Sequence, residues 1–185
     1  MTVAFQGVAG AYSEIAALER FGQKASPVGF ATFEAAARAA ASGAARAAVI
    51  PVSNSATGAV DGGAAAVALG VALGLVRDGD VSLPIRHALL ALPGVALADV
   101  RRVLSHPQAL AQTAGWRAAH LPLARAAPHA DTAGAARDLA ASGRRDTAAV
   151  AHADAAARYG LAVLADDIAD RADNATTFAV LVRRG

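Results

Sequence analysis

The chain has no cysteine, which excludes disulfides, a thiolate nucleophile and cysteine-held zinc or iron–sulfur centres in one step. Its chemistry rests on oxygen and nitrogen groups. No uninterrupted apolar run approaches the roughly 20 residues needed to cross a bilayer. The hydrophobic share of 55% is inflated by alanine, so a soluble protein with no membrane partner is expected. Residues 1–6 enter an apolar strand pattern directly, with neither a basic stretch nor a small-residue cleavage site, and the expected compartment is the cytosol, a cytoplasmic location. Aromatics reach only 4%, Lys24 is the sole lysine, the net charge is +2 and the arginines are scattered. That combination supplies neither a stacking platform nor a basic block, so nucleic acid is not expected as a partner.

Metal and cofactor signals are missing as well. His87, His120, His129 and His152 show no metal-ligand spacing, and Asp166, Asp167 and Asp170 read as a solvated loop. Residues 7–10 lack the third glycine and the downstream acid of a dinucleotide fingerprint. No metal and no cofactor are expected.

What is present is an alternation of strand-like runs with alanine-rich, helix-favouring stretches, the pattern of a largely parallel α/β protein. A chain of 185 residues can bury one core or two small lobes. Strands are expected at residues 3–5, 28–30, 47–52, 102–104, 123–127, 148–151, 162–164 and 178–182. Helices are expected at 14–21 with Ser13 as cap, at 33–41 between Thr32 and Gly43, and at 107–120 with Pro107 in the first turn. Two more run from Asp131 or Thr132 to Gly143 and over 153–159. The stretch 75–92, with Gly79 and Pro84, reads as the crossing from one lobe to another, near residue 80.

Three polar clusters adjoin these strands: Asn54 with Ser55, residues 105–112, and residues 174–177. Serine, threonine and asparagine are ordinary turn and capping residues, so one such cluster alone says little. Their order along the chain says more. Gly7-Val8-Ala9-Gly10-Ala11-Tyr12-Ser13, Pro51-Val52-Ser53-Asn54-Ser55, Ser105-His106-Pro107-Gln108, Asp131-Thr132-Ala133 and Asn174-Ala175-Thr176-Thr177-Phe178 resemble the successive motifs of the prephenate dehydratase family. Residues 87–94, 146–149 and 159–165 resemble it too, several of them its arogenate dehydratase branch.

The resemblance implies a two-lobed α/β fold like type II periplasmic binding proteins, with the active site in the interlobe cleft. Lobe 1 would take residues 1–80 and 175–185, lobe 2 residues 81–174, and the ACT regulatory domain common in the family is not expected within this chain. It implies a lyase of phenylalanine biosynthesis that removes water and carbon dioxide from prephenate, giving phenylpyruvate without a cofactor. Thr176 matches the catalytic threonine, and Asn54, Ser105 and Gln112 match residues that contact substrate. Ser13 and Thr132, with helix-start N–H groups, would hold carboxylates, and Ser55, Ala133 and Phe178 would line the substrate. A homodimer is the expected assembly. His106 admits a general-base reading, but a histidine before Pro107 in a turn is better read as an anchor.

Two positions depart from the family pattern: Ser53 stands where glutamate is usual and Thr177 where arginine is usual. Losing both at once is expected if they are neighbours, because neither charge is then left buried alone. Arogenate as substrate, a decarboxylase that keeps the hydroxyl, and a small-anion binding protein are the alternatives.

Overall fold

Val3, Ala4 and Phe5 are wholly buried in strand β1 (Thr2–Gln6) of the computed structural model, which describes residues 1–184. Burial on both faces is what a central parallel strand requires. β2 (Ser26–Phe30) and β3 (Ala47–Asn54) flank it in parallel, and helices α1 (Tyr12–Phe21) and α2 (Phe33–Ser42) form the crossovers. The Thr32 hydroxyl accepts the Ala35 N–H at 3.1 Å and caps α2, which ends at Gly43 with φ of 86°. The alanines of α2 have a packing role: Ala36, Ala37 and Ala40 are buried and let the helix backbone lie close to the sheet. α1 begins earlier than expected. Ser13 is its second residue, and Ala11 occupies the cap position without a side-chain bond.

β4 (Gly58–Ala59), α3 (Gly63–Ala72) and β5 (Leu75–Pro84) follow. α3 has no counterpart among the expected elements, because its Gly-Ala-Ala-Ala-Val-Ala-Leu-Gly run is apolar all round and shows no helical stripe. The last strand, β11 (Ala175–Arg183), enters between β3 and β5 and is antiparallel to both. The sheet order is β2-β1-β3-β11-β5. It is therefore mixed rather than largely parallel. β5 carries the chain out of this unit and β11 brings it back. Pro84 is the register partner of Ala175, and the Ile85 N–H donates to the Asn174 carbonyl at 2.8 Å. Exit and return run side by side in opposite directions. The unit comprises Met1–Ile85 and Asp173–Gly185, so the crossing falls beyond residue 80 because β5 persists to Pro84.

The second unit is Arg86–Ala172. It contains β6 (Ala88–Ala91), β7 (Arg102–Ser105), α4 (Pro107–Gln112), α5 (Ala114–His120), β8 (Arg125–Pro128), α6 (Thr132–Ser142), β9 (Thr147–Ala151), α7 (Asp154–Tyr159) and β10 (Ala162–Ala165). Their order is β10-β6-β9-β7-β8, parallel on the β7 side and antiparallel around β6. Leu89, Val103 and Val150 pack with Ile168, while Leu90 and Ala149 pack with Leu139. The single helix expected over 107–120 is broken at Thr113. Its buried hydroxyl donates to the Ala109 carbonyl at 2.8 Å, diverting the ladder. Asp170 then caps α5, accepting the Gly115 and Trp116 N–H groups at 2.8 Å each, so it is a structural cap and not part of a solvated loop. Asp131, rather than Thr132, caps α6.

Candidate active site

In the first unit Asn54 and Thr176 are register partners at the adjoining ends of β3 and β11. The Asn54 Nδ2 donates to Thr176 Oγ1 at 2.9 Å and to Asn174 Oδ1 at 2.8 Å. Its Oδ1 accepts the Ala56 N–H at 2.9 Å and the Thr57 N–H at 3.2 Å, the local turn that asparagine forms readily. Asn54 is only 6% exposed, and its amide is committed on both sides. This has a consequence for Thr176. Its oxygen already accepts from Asn54, and no acceptor among the described residues takes its proton, so the hydroxyl keeps its proton available to donate. Asn174 holds a second such donor: it is buried, and its Nδ2 has no partner.

Ser53 and Thr177 are also register partners, one rung away, so they are the neighbours that the double departure implied. Side chains alternate along a strand, which puts this pair on the face opposite Thr176. Ser53 is exposed and Thr177 half-buried. The expectation of a buried pair is thereby corrected, since the replaced charges would meet near solvent. Ser55 staples the strand ends: its hydroxyl donates to the Asp173 carbonyl and accepts the Ala175 N–H, both at 2.9 Å.

Phe178 is 1% exposed and packs with Val3, Val49 and Val180, which corrects its expected contact with substrate. At the two helix starts expected to hold substrate carboxylates, the protein places carboxylates of its own. Buried Glu14 accepts the Gly10 N–H beside Ser13, and Asp131 accepts the Gly134 N–H beside Thr132 and Ala133. The positive ends of these helices are met by the protein's own carboxylates, which would repel another. Ala133, at 0% exposure, offers no side-chain surface.

In the second unit Ser105 is wholly buried and its hydroxyl donates to the Val150 carbonyl at 2.6 Å, so toward a ligand it only accepts. His106 caps α4, its Nδ1 accepting the Gln108 N–H at 3.2 Å, in keeping with an anchor. Gln112 is the last residue of α4. Its Oε1 lies 2.8 Å from His87 Nε2, and its Nε2 is buried with no partner. His87 is 2% exposed. Burial pushes its pKa down from the ordinary value; the Gln112 contact opposes that shift and the charge of His152 adds to it.

Thr176, Asn174 and Gln112 are thus uncharged donors, suited to anionic oxygen rather than to a metal cation. Sequence reasoning gave no role to His87 or Asn174. The available signals were a histidine directly before the wholly buried β6 and an asparagine two residues before Thr176, hence on the same strand face.

Residues 3–185 match the family model described as prephenate dehydratase. Arogenate dehydratase 5, chloroplastic, of Arabidopsis thaliana is 44% identical over 183 residues, 99% of this chain and 42% of the relative. Arogenate dehydratase 1 of Petunia hybrida is 45% identical over 184 residues, again 99% of this chain and 42% of the relative. The chain spans about two fifths of the length of these curated relatives.

Among solved structures, a prephenate dehydratase from Arthrobacter aurescens in complex with L-Phe superposes with a TM-score of 0.88 at 33% identity, covering 100% of this chain and 61% of that one. A protein described as a quorum quenching acylase, GqqA, superposes equally well at 0.88 with 34% identity, covering 100% and 65%. A Burkholderia cenocepacia nutrient binding protein bound to methionine shares the two-lobed α/β fold alone, with a TM-score of 0.50 at 16% identity over 99% of this chain and 84% of that one. The cytosolic expectation is overturned, because matching relatives are named chloroplastic. Residues 1–6 include an interior strand, so their composition reports burial rather than destination.

Proposed function

The chain belongs to the prephenate dehydratase family, and on that premise we propose that it is an aromatising lyase that expels water and carbon dioxide from prephenate. Arogenate, the amino counterpart, is its second candidate substrate, in line with relatives named arogenate dehydratases at 44% and 45% identity. The observation that carries this reading is the Thr176 hydroxyl, held as a donor by the Asn54 amide at 2.9 Å. As the ring carboxylate leaves as carbon dioxide, its bonding electron pair enters the ring and the carbon–oxygen bond to the hydroxyl breaks. Thr176 donates to the departing oxygen, the net proton comes from water, and aromaticity supplies most of the driving force. Asn54 orients Thr176, Gln112 contributes a substrate contact, and wholly buried Ser105 holds the end of β7 through its bond to the Val150 carbonyl. A donor already aimed before reaction needs no reorganisation at the moment charge develops.

An acylase reading, raised by the resemblance to GqqA, would need a base to take the proton of a hydroxyl nucleophile. The group bonded to Thr176 Oγ1 is an amide donor, which favours the dehydratase. The test is turnover of prephenate by the purified chain, following phenylpyruvate and carbon dioxide together, with arogenate and phenylalanine assayed in parallel and Thr176→Ala as control. Aromatic product from the parent and none from the variant supports the proposal. Carbon dioxide alone would make the protein a decarboxylase, and tight binding without product would make it a binding protein.

A further inference from the structure

The chemistry above leaves buried His87 without a task, yet its ring meets a residue that has one. Gln112 presents two nearly isosteric atoms on its amide, a carbonyl oxygen that repels carboxylates and an NH2 that attracts them. Rotation about the last torsion exchanges them at little steric cost. Something must choose. His87 Nε2 lies 2.8 Å from Oε1, and a neutral ring protonated at Nε2 satisfies that oxygen, leaving the NH2 directed elsewhere. That NH2 is the buried donor without a partner.

The main chain holds the arrangement. The His87 carbonyl accepts the Ile168 N–H and the Gln112 carbonyl accepts the Asp170 N–H, both at 2.8 Å. Residues 168–170 therefore tie the two backbones together, while the Asp170 carboxylate caps α5 just beyond the break at Thr113. The backbone at the end of α4 is thereby tied to residues 168–170, and rotation of the Gln112 amide is a freedom this tie leaves.

We propose that His87 is a positioning residue: by donating from Nε2 to Gln112 Oε1, it presents the Gln112 NH2 to a carboxylate of the substrate. The proposal deepens the dehydratase reading and rests on Gln112 being a substrate contact there. A hydrogen bond to a charged group is among the stronger kinds, so losing its orientation falls chiefly on KM, by about tenfold, a factor that one such bond readily supplies.

Two measurements test it. Imidazole 15N shifts of the unaltered chain at neutral pH are expected to show His87 protonated at Nε2 and bare at Nδ1; protonation at Nδ1 alone, with Nε2 accepting from Gln112, overturns the proposal. Prephenate kinetics of Gln112→Ala, His87→Leu and the double variant are then compared. The expected result is a raised KM for His87→Leu with kcat nearly kept, and no further loss when it is added to Gln112→Ala. Equal losses in both backgrounds, or a fall in kcat alone, mean that His87 is merely structural. An unchanged kcat/KM for Gln112→Ala would instead remove the substrate contact itself, and this proposal with it. The shift measurement needs no variant, so it stands even if His87→Leu fails to fold.

Discussion

Asn54 spends its amide on four neighbours: two donations to Asn174 and Thr176, and the acceptance of two turn N–H groups. The chemistry of the site follows from that saturation, since the Asn54 amide can only donate to the Thr176 oxygen and leaves the hydroxyl proton unspent. Thr176→Ala is expected to lower kcat about 100- to 10,000-fold, the range for removing a positioned proton donor, while Thr176→Ser keeps the donor and most of the rate. Steady-state kinetics with prephenate check both; a Thr176→Ala enzyme within threefold of the parent would remove Thr176 from the mechanism.

Because Ser53 and Thr177 are partners on the far face, the double variant Ser53→Glu with Thr177→Arg is expected to form a cross-strand ion pair. Such exposed pairs stabilise by at most about 1 kcal/mol, and kcat should hold. Urea melts and kinetics read the two effects separately, and a tenfold change in kcat would show that this face feels the reaction.

Among the elements, those with local punctuation were legible in the sequence and those without it were not. α2 has Thr32 before it, Gly43 after it and a buried alanine stripe, and was found nearly to the residue. α3 is apolar on every side and lacks a capping side chain, so nothing local marks it. It is held by close approach instead. A Cβ on Gly63 would lie 2.1 Å from the Pro51 carbonyl oxygen, whereas one on Gly70 would meet a movable Leu181 methyl at 2.7 Å. Gly63→Ala is therefore expected to cost at least the roughly 1–3 kcal/mol typical of overpacking. Gly70→Ala should cost less, because better helix propensity returns about 1 kcal/mol and Leu181 yields. Chemical denaturation of both variants checks the order, and Gly70→Ala as the worse variant would contradict this packing. The break at Thr113 was equally invisible, because a threonine reads the same whether its hydroxyl faces solvent or bonds back to Ala109.

For the molecule as a whole, pH dependence near neutrality follows from His87. Burial lowers its pKa, so between the folded pKa and the unfolded value of about 6.5 the unfolded chain binds more protons than the folded one. Stability is then full above about 6.5 and falls as the pH drops below it. Carboxylates such as Asp138 and Asp146, whose values are lowered from 3.8, act in a lower window. Urea midpoints are expected to fall between pH 7.5 and 5.5, with a smaller fall for His87→Leu; the same slope in both would place the titration elsewhere.

The amino-acid sequence alone carries what local chemistry and motif order can specify. That covers an α/β chain without thiol chemistry, five polar motifs in family order, helix caps at Thr32 and Asp131, and the adjacency of Ser53 with Thr177. Tertiary structure alone decided which donors are free. The committed oxygen of Thr176, the spent hydroxyl of Ser105 and the ring of His87 against Gln112 all depend on partners distant in the chain. A hydrogen-bonding group has the same formula whether it is satisfied or waiting, and only the neighbours brought by folding tell the two apart.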